Sequence, residues 1–131
     1  MKILASLLAN KVTLQPSIVI DGVADTVSAQ QFPASTSLVL VLIIQAAPTE
    51  YGEGHCVEIR VVNNEGAASS EFKQEMPFKI PDSGIGGDFP TVYFTAEMSN
   101  MVFPKIGTYV VEVCIDGAIV RRLPLYVKSA L

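Results

Sequence analysis

The only histidine of the chain stands in its densest cluster of polar side chains, residues 50–56. The cluster holds Glu50, Glu53, His55 and Cys56, residue types that can bind a metal ion or transfer protons. His55 and Cys56 are adjacent, and neighbouring side chains of a strand point to opposite faces, so they cannot share one ion or form a dyad. We therefore interpret the segment as a solvated loop that enters a strand, with Glu50, Glu53 and His55 as weak candidates for ligand binding.

Other patterns in the chain lack the context that their chemistry needs. Residues 84–87 are rich in glycine, but no Lys-Ser/Thr pair follows and the next predicted element is a strand, which argues against a phosphate loop. Asp82 and Asp88 lack the alternating oxygen ligands of a calcium loop. No Gly-x-Ser-x-Gly motif is present. We expect no catalytic residue, no metal site and no cofactor, and therefore no enzyme.

The elements around the polar cluster are predicted to be β-strands. Turn residues recur about every 8–12 positions between runs rich in Val, Ile, Thr, Tyr and Phe, which is typical of an all-β sandwich. Val57 and Ile59 alternate with Glu58 and Arg60, as in a strand with one solvated face. Eight strands and no helix are predicted: residues 2–9, 17–21 with an extension through 24–29, 37–45, 55–63, 70–80, 91–98, 108–115 and 118–128.

The composition limits both the size of the protein and its partners. A chain of 131 residues suits one domain with a real core, which we place at residues 1–131. The net charge is −4 and Arg121-Arg122 is the only basic pair, so we expect neither nucleic acid nor a membrane surface as a partner. The apolar run 3–9 resembles a very short signal peptide, but we interpret it as the first strand.

The C-terminal part of the chain predicts a β-hairpin. Asp116-Gly117 stands between two β-rich runs, and this pair favours a type I′ turn, in which both central residues have positive φ. The motif Gly107-x-Tyr109-x-Val111 resembles a strand of immunoglobulin-like sandwiches. We therefore expect an antiparallel immunoglobulin-like β-sandwich of about eight strands.

The two cysteines, Cys56 and Cys114, both lie in predicted strands. Their spacing falls in the range of the paired cysteines of an immunoglobulin domain, but Val111 fills the expected cysteine position and the chain has no tryptophan to pack on a disulfide. We interpret both as buried free thiols, which are typical of a cytoplasmic protein.

The longest apolar run, residues 38–44, is apolar on both faces of its predicted strand. A sandwich strand normally shows one face to water, so something other than the opposite sheet must cover the second face. A loop or the N-terminal segment would be one cover, and a subunit interface would be the other. Because side chains alternate with a period of two, such an interface contains either Leu38, Leu40, Leu42 and Ile44 or Val39, Val41 and Ile43. We take Val39, Val41 and Ile43 as the candidate interface.

The order of the short motifs along nearly the whole chain resembles a family of small uncharacterised bacterial proteins. The resemblance implies a stand-alone immunoglobulin-like sandwich with no assigned activity. The family's acidic turn Asp-x-Asp-Gly is Asn63-Asn64-Glu65-Gly66 here, which weakens any cation site at that turn. The motifs that carry the resemblance lie at residues 4–9, 18–22, 32–34, 55–66, 103–109, 115–117 and 123–125.

These observations favour a non-enzymatic interaction or structural module in the cytoplasm. Its expected partner is a protein, either a second copy in a homo-oligomer or another chain. The alternative is a module that binds a small ligand or a metal through loops at one end of the sandwich. Self-association predicts a concentration-dependent mass, ligand binding predicts a ligand-dependent melting shift, and an enzyme would show a pocket with a strongly perturbed titratable group.

Overall fold

The chain folds into β-strands whose bounds follow the alternation of its apolar residues. The computed structural model describes residues 1–14, 18–63, 68–81 and 91–130, with the side chains of 68–71 left aside. In these ranges the strands are β1 Lys2–Thr13, β2 Val19–Val23, β3 Thr26–Ala29, β4 Ala34–Gln45, β5 Gly54–Asn63, β6 Ala68–Lys79, β7 Thr91–Phe103, β8 Gly107–Ile115 and β9 Ala118–Ser129.

The strands form two sheets, so the prediction of an all-β fold is confirmed. The first sheet has the order β2-β1-β4-β7, and the second has the order β3-β9-β8-β5-β6. All neighbours pair antiparallel except β3 and β9, which are parallel. A 3-10 turn, Pro48–Glu50, precedes β5. Among the described residues no helix is long and apolar enough to cross a membrane.

The prediction of eight strands is wrong at one place, because the second predicted strand is two strands in different sheets. The Ala24 N–H donates to the Leu8 carbonyl of β1 across 2.9 Å, which keeps it with the first sheet. The Asp25 carbonyl accepts from the Tyr126 N–H of β9 across 2.8 Å, which places it with the second sheet. The chain therefore crosses from one sheet to the other between these two residues, and nine strands are described.

The two sheets enclose one apolar core built from their inner faces. Along β4 the inner residues Leu40, Leu42 and Ile44 have no exposed surface. Phe78 of β6 packs edge to face on Phe94 of β7, with ring centroids 5.2 Å apart. These contacts join the two sheets, because β6 belongs to the second sheet and β7 to the first.

The predicted hairpin between β8 and β9 is confirmed in detail. Asp116 has φ 52° and Gly117 has φ 85°, the two positive angles that a type I′ turn requires. Ile115 and Ala118 pair across the turn. The N-terminal segment is also a strand, as predicted, although it extends to Thr13.

Candidate functional site

The three ligand-loop candidates lie at one end of the sandwich, between the 3-10 turn and the start of β5. Glu50 closes the 3-10 turn, where its Oε1 accepts the Ala47 N–H across 2.9 Å and its Oε2 lies 2.5 Å from the Met1 ammonium. The ammonium and then the Ala47 N–H hold the pKa of Glu50 below its ordinary value. Glu50 is therefore engaged in the loop's own structure.

The side chain of His55 is oriented by Asp116, which lies in the turn between β8 and β9. Its Nδ1 lies 2.6 Å from Oδ2 of Asp116, the first central residue of the β8–β9 turn. The other carboxylate oxygen, Oδ1, accepts the Cys56 N–H across 2.9 Å. One carboxylate thus binds both the side chain of His55 and the backbone of its neighbour. These hydrogen bonds, first that of His55 and then that of Cys56, lower the pKa of Asp116.

The second ring nitrogen of His55 remains without a hydrogen bond among the described residues. Nε2 is buried, and Oε1 of Glu53 lies 3.6 Å away, beyond hydrogen-bond distance. The imidazole also packs near Phe78, with ring centroids 6.4 Å apart. A histidine held at Nδ1 by a carboxylate presents Nε2 for proton transfer or for a ligand. The described residues, however, hold no group of three or more His, Cys, Asp or Glu side chains that could bind a metal ion.

A shallow groove lies beside this loop. Its volume is about 470 Å³, and it is lined by Tyr51, Gly52, Lys79, Ile80 and Pro81. Two hydrogen bonds fix its wall: the Gly52 N–H donates to the Ile80 carbonyl across 2.8 Å, and the Ile80 N–H donates to the Glu53 carbonyl across 3.1 Å. The hydroxyl of Tyr51 is buried with no hydrogen-bond partner in the described structure. The groove contains neither His55 nor Asp116 in its lining, so groove and histidine are neighbouring features and not one assembled site.

The prediction of two buried thiols is wrong for Cys56. Both cysteines are free, but Cys56 is exposed while Cys114 is buried. Cys56 alternates with Val57 and shares the outer face of β5 with Glu58, which is why it meets solvent. Cys114 is covered, and its Sγ lies 3.4 Å from Nη2 of Arg60.

The candidate interface residues lie on the outer face of the first sheet. Val39 and Ile43 are half-buried, while Val41 between them has no exposed surface. The register extends this face to both neighbours of β4, with Leu7 of β1 beside Val41 and Tyr93 of β7 beside Ile43. We call these five residues the outer patch. Tyr93 is 49% exposed, so the patch has an open aromatic rim.

The outer face of the second sheet has the opposite character. Lys73 lies 3.5 Å from Glu58, Arg60 lies 3.4 Å from Glu112, and Arg122 lies 3.2 Å from the same carboxylate. Opposite charges thus continue across four neighbouring strands, β6, β5, β8 and β9. Such exposed pairs stabilise a fold by at most about 1 kcal/mol each, but they keep a sheet face hydrated. The outer face of the second sheet is therefore charged, whereas that of the first sheet is apolar along β4, with Thr95 and Glu97 of β7 beside Val41 and Val39.

Several predicted features fall outside the described residues. These are the glycine-rich residues 84–87, Asp82 and Asp88, and residues 64–66 of the turn that departs from the family's acidic pattern. The Asp116 contact with His55 was missed in the sequence because the two residues are 61 positions apart. A pairing of the predicted strands 55–63 and 108–115 would have indicated it, because it brings the start of one strand beside the end of the other, as Val57 and Ile115 show.

Comparison with known proteins agrees with the resemblance drawn from the motifs. No curated protein matches the sequence. The model of a family of unknown function, DUF6941, matches residues 4–128, which is nearly the whole chain and includes every strand from β2 to β8. The chain therefore belongs to this family of unknown function, DUF6941.

Proposed function

We propose that the protein is a non-enzymatic interaction module that self-associates through the outer patch. The observation that carries this proposal is the apolar character of the patch, whose members are Leu7, Val39, Val41, Ile43 and Tyr93. Leu7, Val39 and Ile43 are half-buried and Tyr93 is 49% exposed, and contiguous apolar surface left open to solvent usually marks a contact surface. The outer face of the second sheet carries ion pairs that keep it hydrated, whereas the centre of the outer patch carries no charged residue. We explain this difference by contact of the outer patch with a second copy of the chain.

The N-terminal segment does not supply the cover that we considered from the sequence. Leu7 and Ala9 of β1 pair with Val41 and Val39, so β1 lies beside β4 within the same sheet. It extends the apolar face instead of lying over it. This arrangement excludes β1 as the cover and leaves a loop or a subunit interface, of which we propose the interface.

A second copy of the chain suits the shape of the patch. The register places Ala5 of β1 and Tyr93 of β7 on either side of Ile43, and Leu7 and Thr95 on either side of Val41. A two-fold axis parallel to β4 would lay β1 of one copy over β7 of the other. Tyr93 would then cover Ala5, and Leu7 would cover Thr95, so each larger side chain would meet a smaller one.

We further propose that the sandwich is immunoglobulin-like and that it acts in the cytoplasm. Support for the fold comes from the motif that suggested it. The Tyr109 hydroxyl donates to the Lys105 carbonyl four residues upstream, across 2.7 Å, and the ring packs on Phe103 with centroids 4.9 Å apart. A tyrosine that bonds back to the backbone before its strand is the tyrosine corner of such sandwiches. Two free cysteines are consistent with a reducing compartment.

The experiment compares two matched substitutions on the two outer faces. Val39→Lys places a charge on the outer patch, and Val110→Lys places one at a half-buried position on the outer face of the second sheet. Both variants should keep a cooperative melting transition. Light scattering should show an oligomer of equal mass for the wild type and for Val110→Lys, and a smaller mass for Val39→Lys. A folded Val39→Lys variant with the wild-type mass would overturn the proposal.

A second candidate function is the binding of a small ligand or metal by the loop that holds His55. The specific observation is the buried Nε2 of His55, which has no hydrogen-bond partner in the described structure. Zn²⁺ and inorganic phosphate serve as separate probes. This function predicts that one of them raises the melting temperature of the wild type, and that His55→Gln abolishes the rise. If neither probe shifts the wild type more than it shifts His55→Gln, this candidate fails.

A further inference from the structure

The strand β7 is an edge of the first sheet with an unused side. Within the described part of the chain it pairs only with β4. An edge strand presents a row of unpaired N–H and C=O groups, which another strand can bind. Proteins usually prevent such pairing with short edges, lysines or prolines.

β7 carries less of this protection than the other edge strands, because its irregularity near Asn100 lies beyond residues 91–98 and leaves that length uninterrupted. β2 has five residues and β3 has four, so both are short. β6 is long, but it carries Lys73, Pro77 and Lys79. β7 has 13 residues without lysine, arginine or proline, and its single charged residue is Glu97. This contrast singles out β7 as the edge on which a further strand can pair.

The regular part of β7 has a defined centre. Residues 91–98 pair with β4 without interruption, and the register shift follows between Leu38 and Thr36. Opposite that shift, Asn100 has φ 58°, which ends the regular strand geometry. The straight segment therefore spans residues 91–99, and Thr95 is its midpoint.

We propose that the β7 strands of two copies pair antiparallel around a two-fold axis at Thr95. The two four-stranded sheets would then become one continuous sheet of eight strands. The partner is a second copy of this chain because the segment is complementary to itself in this register. Directly opposed side chains of an antiparallel pair point to the same face, whereas neighbouring side chains of one strand point to opposite faces. The axis must therefore lie midway between the two copies of one residue, and not between one residue and its neighbour.

The pairs that this register creates are favourable on both faces. On the outer face Thr95 meets Thr95, a pair that stabilises sheets, and the Tyr93 hydroxyl can donate to Glu97 of the second copy. On the inner face the large Phe94 meets the small Ala96. The two Glu97 carboxylates are four residues apart along the strands, or roughly 13 Å, so they do not oppose each other. Centring the axis on Glu97 would instead bring like charges together.

Edge pairing is distinct from face-to-face packing through the outer patch, and neither requires the other. Edge pairing leaves the outer patches of the two copies side by side in one plane. Each proposal can therefore fail alone, and a position-specific cross-link separates them.

Cysteine cross-linking in a Cys56→Ser background tests the edge proposal. Thr95→Cys would face its own copy across the axis, within the separation that a disulfide spans. Glu97→Cys would not face its own copy. In an equal mixture of Glu97→Cys and Tyr93→Cys, however, residue 97 of one copy would face residue 93 of the other. After mild oxidation we expect a band at twice the 14.0 kDa chain mass for Thr95→Cys and for the mixture, and at least tenfold less for Glu97→Cys or Tyr93→Cys alone.

Equal cross-linking of Thr95→Cys and Glu97→Cys, or no cross-linking of Thr95→Cys, would overturn the proposed register. Adding Val39→Lys to Thr95→Cys keeps the result separate from the outer patch. The edge proposal predicts an unchanged yield in that double variant, whereas face-to-face packing alone predicts that any cross-link is lost.

Discussion

Asp116 Oδ2 lies 2.6 Å from His55 Nδ1, and this contact joins the β8–β9 turn to the start of β5. Asp116 has a second task, because its φ of 52° makes it the first central residue of the type I′ turn. Aspartate serves both tasks: it tolerates positive φ, and its carboxylate reaches back to the neighbouring strand. The only histidine of the chain is thus oriented by a turn residue.

The lowered pKa of Asp116 predicts a dependence of stability on pH. Its main cause is the hydrogen bond with His55, followed by that from the Cys56 N–H. A carboxylate whose pKa is lower in the folded state stabilises the fold at pH above its unfolded pKa, and this contribution is lost as the pH falls through the folded pKa. Urea midpoints should therefore fall more steeply into acid for the wild type than for Asp116→Asn.

Asn is a suitable comparison because it tolerates positive φ and keeps an acceptor for the Cys56 N–H. The lowered pKa of Glu50 contributes in the same direction to both proteins, so the difference between them isolates Asp116. Parallel pH profiles would show that the contact with His55 does not stabilise the folded state.

The turn itself is tested by Gly117→Val. Gly117 has φ 85° and nothing lies within 4 Å of an added Cβ, so the cost comes from the backbone conformation and not from a clash. A β-branched residue at this φ should lower the free energy of unfolding by more than about 1 kcal/mol. Gly117→Asn is the control and should cost less. Denaturant unfolding measures both, and equal stabilities of the wild type and Gly117→Val would contradict a type I′ turn.

Arg121 and Arg122 are adjacent in the chain but make different kinds of contact. Arg121 Nη2 donates to the Ile3 carbonyl across 2.8 Å, at the point where the β1–β4 register is interrupted. Arg122 is exposed and lies 3.2 Å from Glu112. Arg121→Met should therefore cost about 1–3 kcal/mol, because it leaves a strand carbonyl without its donor. Arg122→Met should cost at most about 1 kcal/mol. Chemical denaturation of the two variants decides this, and equal costs would rule out a structural role for the contact with Ile3.

The thiols should react at different rates. Cys56 is exposed and Cys114 is buried, so a thiol reagent added to the native protein should label Cys56 first and Cys114 only on unfolding. Cys56→Ser removes the fast phase if this assignment is right. Two thiols that react equally fast would contradict the burial of Cys114.

Local signals in the sequence were sufficient for the hairpin and for the two alternating sets of side chains along β4, but not for which set faces the core. Asp116-Gly117 determines its turn from two residues, and the alternation along β4 separates Leu40 and Leu42 from Val39 and Ile43 without knowledge of the neighbours. The exposure of Cys56 was also readable, because it alternates with Val57 on the side of Glu58.

Pairings between distant segments were not predictable in the same way. Val23 remains with β1, whereas Thr26 pairs with β9 about 100 residues later in the chain. No local propensity separates these two short strands. The orientation of His55 likewise depends on Asp116 in the turn between β8 and β9. This contact forms only when β5 and β8 pair in the second sheet, so local sequence patterns do not predict it.

Self-association through the outer patch is tested most directly by sedimentation equilibrium over a wide range of protein concentration. The account predicts that the wild-type mass rises above the 14.0 kDa of one chain as concentration increases. It also predicts that the mass of Val39→Lys stays below that of the wild type at high concentration, while this variant still melts cooperatively. A wild-type mass of 14.0 kDa at every concentration would contradict the central claim.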